Sequence, residues 1–315
     1  MDRRAIGSLQ VSVVGLGCNN FGIRLDEAAT GRVVHAALDA GINFFDTADI
    51  YGGGGRSEEF LGRALGAHRS DVLIATKFGM PMDDTHRGAR PEYVRAAAED
   101  SLRRLGTDHI DLYQLHQPDA EVPIADTLGA MNELVAAGKV REIGCSNFSA
   151  QQIREAEDVS KDRGFARFVS VQNEYSLMHR DPEVDVLDEC ARVNAAFLPF
   201  FPLASGLLTG KYHRGEPAPE GTRLASGPRA AQLTDDRLAQ VELLRDFAHS
   251  TGHTLLELAF AWLLARPVVA SVIAGATKPE QVASNVATTE WRLTGEEMAA
   301  IDQILPAPAR TPARA

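Results

Sequence analysis

The chain has 315 residues, 44% of them hydrophobic, enough for a large core. Acidic residues outnumber basic ones 43 to 32, and the resulting net charge of −11 argues against general affinity for nucleic acid. No apolar run reaches the roughly 18 residues that span a membrane. The first residues, MDRRAIGSLQ, lack the apolar stretch of a secretory signal, and Cys18, Cys145 and Cys190 have no CxxC spacing, so a reduced, cytoplasmic setting is expected.

Residues 3–13 read as a small hairpin turning at Gly7-Ser8. An alternation follows, in which short apolar strands trade with helices of ten to fifteen residues. Strands are expected at 14–17, 43–45, 72–76, 110–115, 140–145, 168–171, 195–200 and 271–273. Helices are expected near 26–39, 57–65, 91–104, 124–137, 149–159, 183–193, 235–250 and 279–286, with two extra ones near 254–265 and 295–304. Ser57 is expected to open its helix, with Glu58 and Glu59 in the first turn, where negative charge suits the helix dipole. Pro91 marks a first turn and Gly106 a stop. Ile124, Leu128, Met131 and Val135 form one apolar stripe that Gly138 ends.

Eight strand–helix units imply a parallel sheet with right-handed crossovers, and eight is the number that closes into a (β/α)8 TIM barrel. An open doubly wound sheet is the competing architecture. Against it, the first strand runs into Gly15-Leu16-Gly17-Cys18-Asn19-Asn20, which lacks the third glycine of a dinucleotide fingerprint. No internal repeat or dividing linker is evident. One barrel domain over residues 1–305 and a flexible Pro/Ala/Arg-rich tail over 306–315 are expected.

Barrel enzymes place their chemistry at the C-terminal ends of the strands. The expected ends deliver Asp46, with Tyr51 five residues on, then Lys77, His116, Ser146 and Asn147, Gln172, Phe200, and Gly275 with Thr277. Any one of these alone could be a solvated loop side chain or a satisfied core group. Four ionisable groups on three successive strand ends point instead to chemistry. A tyrosine ionises near pH 10. A nearby ammonium is expected to lower that value, and a carboxylate keeps the ammonium charged. Asp46, Tyr51, Lys77 and His116 therefore read as a proton donor aimed at a carbonyl. No nucleophile elbow is present, because Gly144-Cys145-Ser146-Asn147-Phe148 fails GxSxG. No metal ligand set is evident, and His249 and His253 read as surface residues.

With these residues in place, the chain resembles an aldo-keto reductase from Arg4 to about Asn285. The resemblance rests on NFFDTADIYG (43–52), ATKFG (75–79), IDLYQLHQPD (110–119), IGCSNFS (143–149), VQNEYSLMHR (171–180), FPLASGLLTGKY (201–212) and IAGATKPEQVASN (273–285), seven motifs in order. It implies reversible carbonyl reduction with a nicotinamide cofactor extended across the rim. Tyr51 would be the acid, supported by Lys77 and Asp46, with His116 orienting the substrate. Asp46 also counts among the residues facing the cofactor. Ser146, Asn147 and Gln172 match positions that hold the carboxamide. Phe200 matches the aromatic stacked on the nicotinamide, here Phe where Tyr is usual. Phe201 stands where serine is usual, so a hydroxyl contact to the pyrophosphate is lost. Leu203, Gly206 and Lys211 follow in the glycine-containing loop, and Gly275, Thr277, Lys278, Gln281 and Asn285 match the adenosine end.

NADPH is expected over NADH, because Thr277, Lys278 and the amides of a helix start suit a phosphate. Gln281 stands where some relatives place an arginine, so NADH stays possible. Residues 213–233 form the one long irregular stretch, expected either to cover cofactor or substrate with Arg223 as a contact or, equally, to be a mobile insertion. The substrate is expected to be a small aldehyde or ketone in a pocket shaped by Asn19, Asn20, Phe21, Phe78, Met80 and Gln117. Neither nucleic acid nor membrane is expected as a partner, and the oligomeric state is open. A reading from another class also follows from the resemblance: a regulatory subunit of an ion channel that binds cofactor with little turnover. A sugar-processing barrel needs two facing carboxylates at strand ends, and only Asp46 qualifies.

Overall fold

A computed structural model describes residues 1–309. The antiparallel hairpin β1 (Arg3–Ile6) and β2 (Leu9–Ser12) comes first. Eight parallel strands follow: β3 (Val14–Gly17), β4 (Phe44–Asp46), β5 (Leu73–Phe78), β6 (Ile110–Leu115), β7 (Val140–Ser146), β8 (Phe168–Glu174), β9 (Ala196–Phe200) and β10 (Val272–Gly275). They pair in chain order, and β10 returns to pair with β3. The last gap is bridged where the Phe197 N–H donates to Val268 O at 2.7 Å and the Ala270 N–H donates to Phe197 O at 3.1 Å. The architecture is a (β/α)8 barrel with a hairpin at its N-terminal end.

The helices are α1 (Glu27–Asp39), the single turn α2 (Tyr51–Gly54), α3 (Arg56–Leu65), α4 (Pro91–Leu105), α5 (Ile124–Ala136), α6 (Ala150–Arg163), α7 (Val186–Arg192), α8 (Asp235–Ser250), α9 (Leu255–Leu264), α10 (Pro279–Ala287) and α11 (Gly295–Ile304). Their ends follow local chemistry. Ser149 and Gln152 form a capping box on α6, as Thr254 and Glu257 do on α9. Gly106 closes α4 in the left-handed region at φ 64°. The α9 residues from Leu258 to Leu264 are all buried, as expected of a helix apolar nearly all round.

Two apolar layers result. The larger lies between the sheet and its helices. The smaller fills the barrel, where Phe44, Ala75, Leu112, Val169, Leu198 and Ile273 meet Ile6, Leu9 and Val11 of the hairpin. The hairpin thus plugs the bottom of the barrel. Arg4 fastens it by donating to Leu264 O at 2.7 Å and Val269 O at 2.5 Å. With the bottom closed, the polar strand ends open at the other rim. No helix is long and apolar enough to cross a membrane among the described residues. Of the expected tail, residues 310–315 lie outside the described residues.

Candidate active site

The strand exits converge. Asp46 ends β4, and Lys77 is the penultimate residue of β5. Lys77 is fully buried and donates from Nζ to Asp46 Oδ2 at 2.7 Å and to Thr47 O at 2.8 Å. Burial pushes its pKa down, but Asp46 and Tyr51 outweigh that, so it rises and the ammonium stays charged. The Lys77 Nζ lies 5.2 Å from the Tyr51 ring centroid, and the His116 ring meets Tyr51 edge-on at 5.7 Å. The four side chains expected together are together.

The direction of the Tyr51 shift corrects the sequence expectation. Burial raises the phenol pKa more than Lys77 lowers it, and Asp46 adds to the rise. Tyr51 is therefore held as the protonated acid. His116 is buried beside the Lys77 ammonium, and these two causes bring its pKa down to about 3. It is neutral throughout the working range, with Nδ1 unpartnered inside the protein.

The turn that carries Tyr51 is built by glycine. Gly52 sits at φ 78°, and a Cβ there would lie 2.7 Å from the Ser57 nitrogen. Gly55, at φ 95°, begins α3, and a Cβ there would strike the Arg104 side chain at 2.3 Å. Ser57 does not cap the helix as expected. It lies one residue inside and its Oγ sits 2.9 Å from both Cys18 O and Thr47 Oγ1, tying β3 to the turn. Nor is Glu58 a solvated dipole partner. It is fully buried, accepting from Thr76 Oγ1 at 2.5 Å and Arg104 Nε at 2.6 Å.

A second ring of groups surrounds Asp46. Gln172 donates from Nε2 to Asp46 Oδ1 at 2.9 Å, and Gln114 does so at 3.4 Å. Gln114 was not foreseen, because it lies inside β6 rather than at its end. Alternation along the strand with His116 was the available signal. Ser146 donates to Gln172 O at 2.7 Å. Asn147 adopts φ 62° and donates from Nδ2 to His116 O at 2.9 Å, which places it over the His116 backbone. Phe200 is half-buried at the end of β9, edge-on to Phe201 at 5.1 Å.

Leu203, Gly206 and Lys211 lie on the segment after β9. Gly206 has φ 97°, and a Cβ there would stand 3.0 Å from Lys211 Nζ. Lys211 and Arg223 have lowered pKa values, caused by burial and then by neighbouring cations, Arg24 for both and Arg229 for Arg223. The stretch 213–233 reaches back over the rim. Arg223 donates to Asn20 Oδ1 at 2.9 Å and Asn19 Oδ1 at 3.3 Å, while Arg229 lies 4.0 Å over the Phe201 ring and donates to Ser205 Oγ. These partners are neutral, so positive charge accumulates beside the rim.

At the opposite flank, Gly275 ends β10 and Asn20 donates to Ala276 O at 3.2 Å. Lys278 is exposed and Asn285 is buried in α10. The helix start offers fewer free amides than expected. Pro279 has no N–H, and the Thr277 N–H donates to Gln281 Oε1 at 2.7 Å. His253 is no free surface group either: it stacks on Trp291 at 3.9 Å.

Comparison with known proteins decides the family. A family profile described as "Aldo/keto reductase family" matches residues 13–306. The chain belongs to this family. It is 36% identical over 312 residues to "Uncharacterized oxidoreductase YrpG" of Bacillus subtilis, covering 95% of this chain and 94% of that protein. It is 37% identical over 287 residues to "Probable voltage-gated potassium channel subunit beta" of Oryza sativa, covering 88% and 87%. It is 36% identical over 289 residues to a protein of the same name from Arabidopsis thaliana, again covering 88% and 87%.

Proposed function

We propose that this aldo/keto reductase reduces a small aldehyde or ketone to the alcohol, with NADPH as the favoured cofactor and NADH as a weaker substitute. One observation carries the reading. A protonated, half-buried phenol stands beside a buried ammonium that a carboxylate keeps charged, with a neutral imidazole at the same point. Tyr51 donates its proton to the carbonyl oxygen. Lys77 stabilises the phenolate that remains, and Asp46 holds Lys77 in place. Neutral His116, edge-on to Tyr51, steers the carbonyl oxygen.

The residues present fit a nicotinamide dinucleotide, which when bound supplies the hydride. Gln114 Oε1, inside β6, and Asn173 Oδ1, near the end of β8, are buried polar atoms without partners. Phe200 offers a half-buried ring. Lys211 and Arg223 have no carboxylate among their closest influences, and Arg24 adds positive charge beside both, as an anion site requires. Asp46, Ser146, Asn147 and Gln172 would serve the nicotinamide end. Phe201, Leu203, Gly206 and Lys211 would serve the pyrophosphate, and Gly275, Thr277, Lys278, Gln281 and Asn285 the adenosine. A cytoplasmic site of action and a single domain over residues 1–305 belong to the same reading.

The names of two relatives favour a second reading, a channel subunit that binds cofactor and turns over little. Oxidation of NADPH with a panel of aldehydes and ketones separates the two. Multiple turnovers with several carbonyls support the reductase. Cofactor binding without turnover, together with a stable membrane-protein partner on pull-down, supports the subunit.

A further inference from the structure

The segment after β9 turns sharply, and its first residue carries a large ring through the turn. Phe201 stands at φ 51°, a left-handed conformation uncommon for a bulky side chain. Ala204, Ser205 and Gly206 follow at 46°, 60° and 97°. Two cations lie over the Phe201 ring, with Arg229 Cζ 4.0 Å and Arg223 Cζ 5.8 Å from its centroid. Arg229 comes from the stretch 213–233 and is half-buried. Its guanidinium makes one hydrogen bond among the described residues, from Nη1 to Ser205 Oγ at 2.9 Å. A guanidinium seated on a ring face keeps its other N–H groups for a further acceptor.

The surroundings say what that acceptor is. Arg24, Lys211, Arg223 and Arg229 gather here, and among the described residues no carboxylate pairs with any of them. Tyr212 gives an independent sign. It is 2% exposed, and its buried Oη has no partner. A Cβ built on Gly206 would lie 3.0 Å from Lys211 Nζ and 3.9 Å from Tyr212 Oη. An ammonium and a spare hydroxyl thus meet over a glycine, with the Arg229 guanidinium at the adjoining Ser205. Such a set suits a multiply charged anion rich in oxygen acceptors, and a dinucleotide's diphosphate is one.

We propose that Phe201 seats Arg229 against the diphosphate of the nicotinamide dinucleotide, so that an arginine held on a ring does the work of the hydroxyl that serine usually supplies at this position. The proposal rests on the cofactor reading above. Arg229 is the binding group, and Phe201 is a positioning residue that acts through it. The diphosphate is common to NADPH and NADH, so Arg229 adds affinity for both and leaves the preference between them unchanged.

The test is fluorescence titration of NADPH and of NADH, at low and high salt, into wild type, Arg229→Met, Arg229→Lys, Phe201→Leu and the Phe201→Leu/Arg229→Met double variant, with Tm measured for each. Arg229→Met should raise Kd about tenfold for both cofactors and flatten the salt dependence. Arg229→Lys keeps the charge and loses the planar fork, so it should fall between the two; it carries the test if Arg229→Met proves unstable. Phe201→Leu should weaken binding several-fold, yet add little in the Arg229→Met background. An unchanged Kd in both Arg229 variants, or a loss confined to NADPH, overturns the assignment to the diphosphate. Fully additive effects in the double variant overturn the role of Phe201. If wild type binds neither dinucleotide, the cofactor reading falls and this proposal with it.

Discussion

At the scale of single residues, the site is an arrangement of charge around one phenol. Lys77 is the charged member, and removing it leaves Asp46 as an uncompensated buried carboxylate. Lys77→Met should slow turnover at all pH values, and more at neutral than at alkaline pH for alcohol oxidation. High pH partly replaces the ammonium by ionising the phenol directly. A pH–rate profile in the oxidation direction checks this, and a mutant profile of unchanged shape would count against the role. His116, with its pKa near 3, should add no titration step between about pH 5 and pH 9. Asp46, Tyr51, Lys77 and His116 were legible in the sequence because strand ends in a barrel face one rim. The net direction of the Tyr51 shift was not, because it depends on how deeply the ring is buried, which spacing does not reveal.

At the scale of elements, the turn Tyr51–Gly54 and the start of α3 form one device. Glycine at 52 and 55 lets the chain fold tightly enough for Ser57 to reach Thr47 and for Arg104 to cross to Glu58. Gly52→Ala should destabilise the protein by roughly 1–3 kcal/mol through backbone strain and collision with the Ser57 nitrogen. It should also lower kcat far more than cofactor affinity, because Tyr51 moves while the β9 and β10 exits stay put. Chemical denaturation and steady-state kinetics check both parts, and an unaltered kcat would show that the turn does not set the phenol. The helix at 57–65 was readable, but its chemistry was misassigned. Ser-Glu-Glu at a helix start has the composition of a cap, and only tertiary packing turns Ser57 and Glu58 inward. In the same way, Gln281 was expected at the adenosine end, yet its side chain accepts from the Thr277 N–H and Oγ1.

At the scale of the whole molecule, the barrel order was legible because eight apolar strands alternate with helices of regular length. The closure by residues 268–270 and the latch at the C-terminus were not, because both join residues far apart in sequence. Arg180 in that latch donates to Glu183 at 2.7 Å and to Leu305 O at 2.5 Å, and pairs with Asp302 of α11 at 2.8 Å. Arg180→Met leaves the buried Glu183 carboxylate partly uncompensated and should cost about 3–5 kcal/mol, read as a loss of stability in urea at constant ionic strength. On the proposed reading, Lys211, Arg223, Arg24 and Lys278 across the rim would make a cofactor preference a property of several elements together. NADPH should exceed NADH in kcat/KM by about ten- to a hundredfold, part of it lost in high salt and in Lys278→Ala. An equal or better value with NADH would contradict the preference. The most direct measurement of the central claim is turnover of Tyr51→Phe with a carbonyl that wild type reduces, alongside fluorescence titration of NADPH. A loss of roughly 100- to 10,000-fold in kcat with nearly unchanged cofactor affinity is predicted, since only the phenol proton is removed. Turnover close to wild type would contradict it and remove Tyr51 from the chemistry.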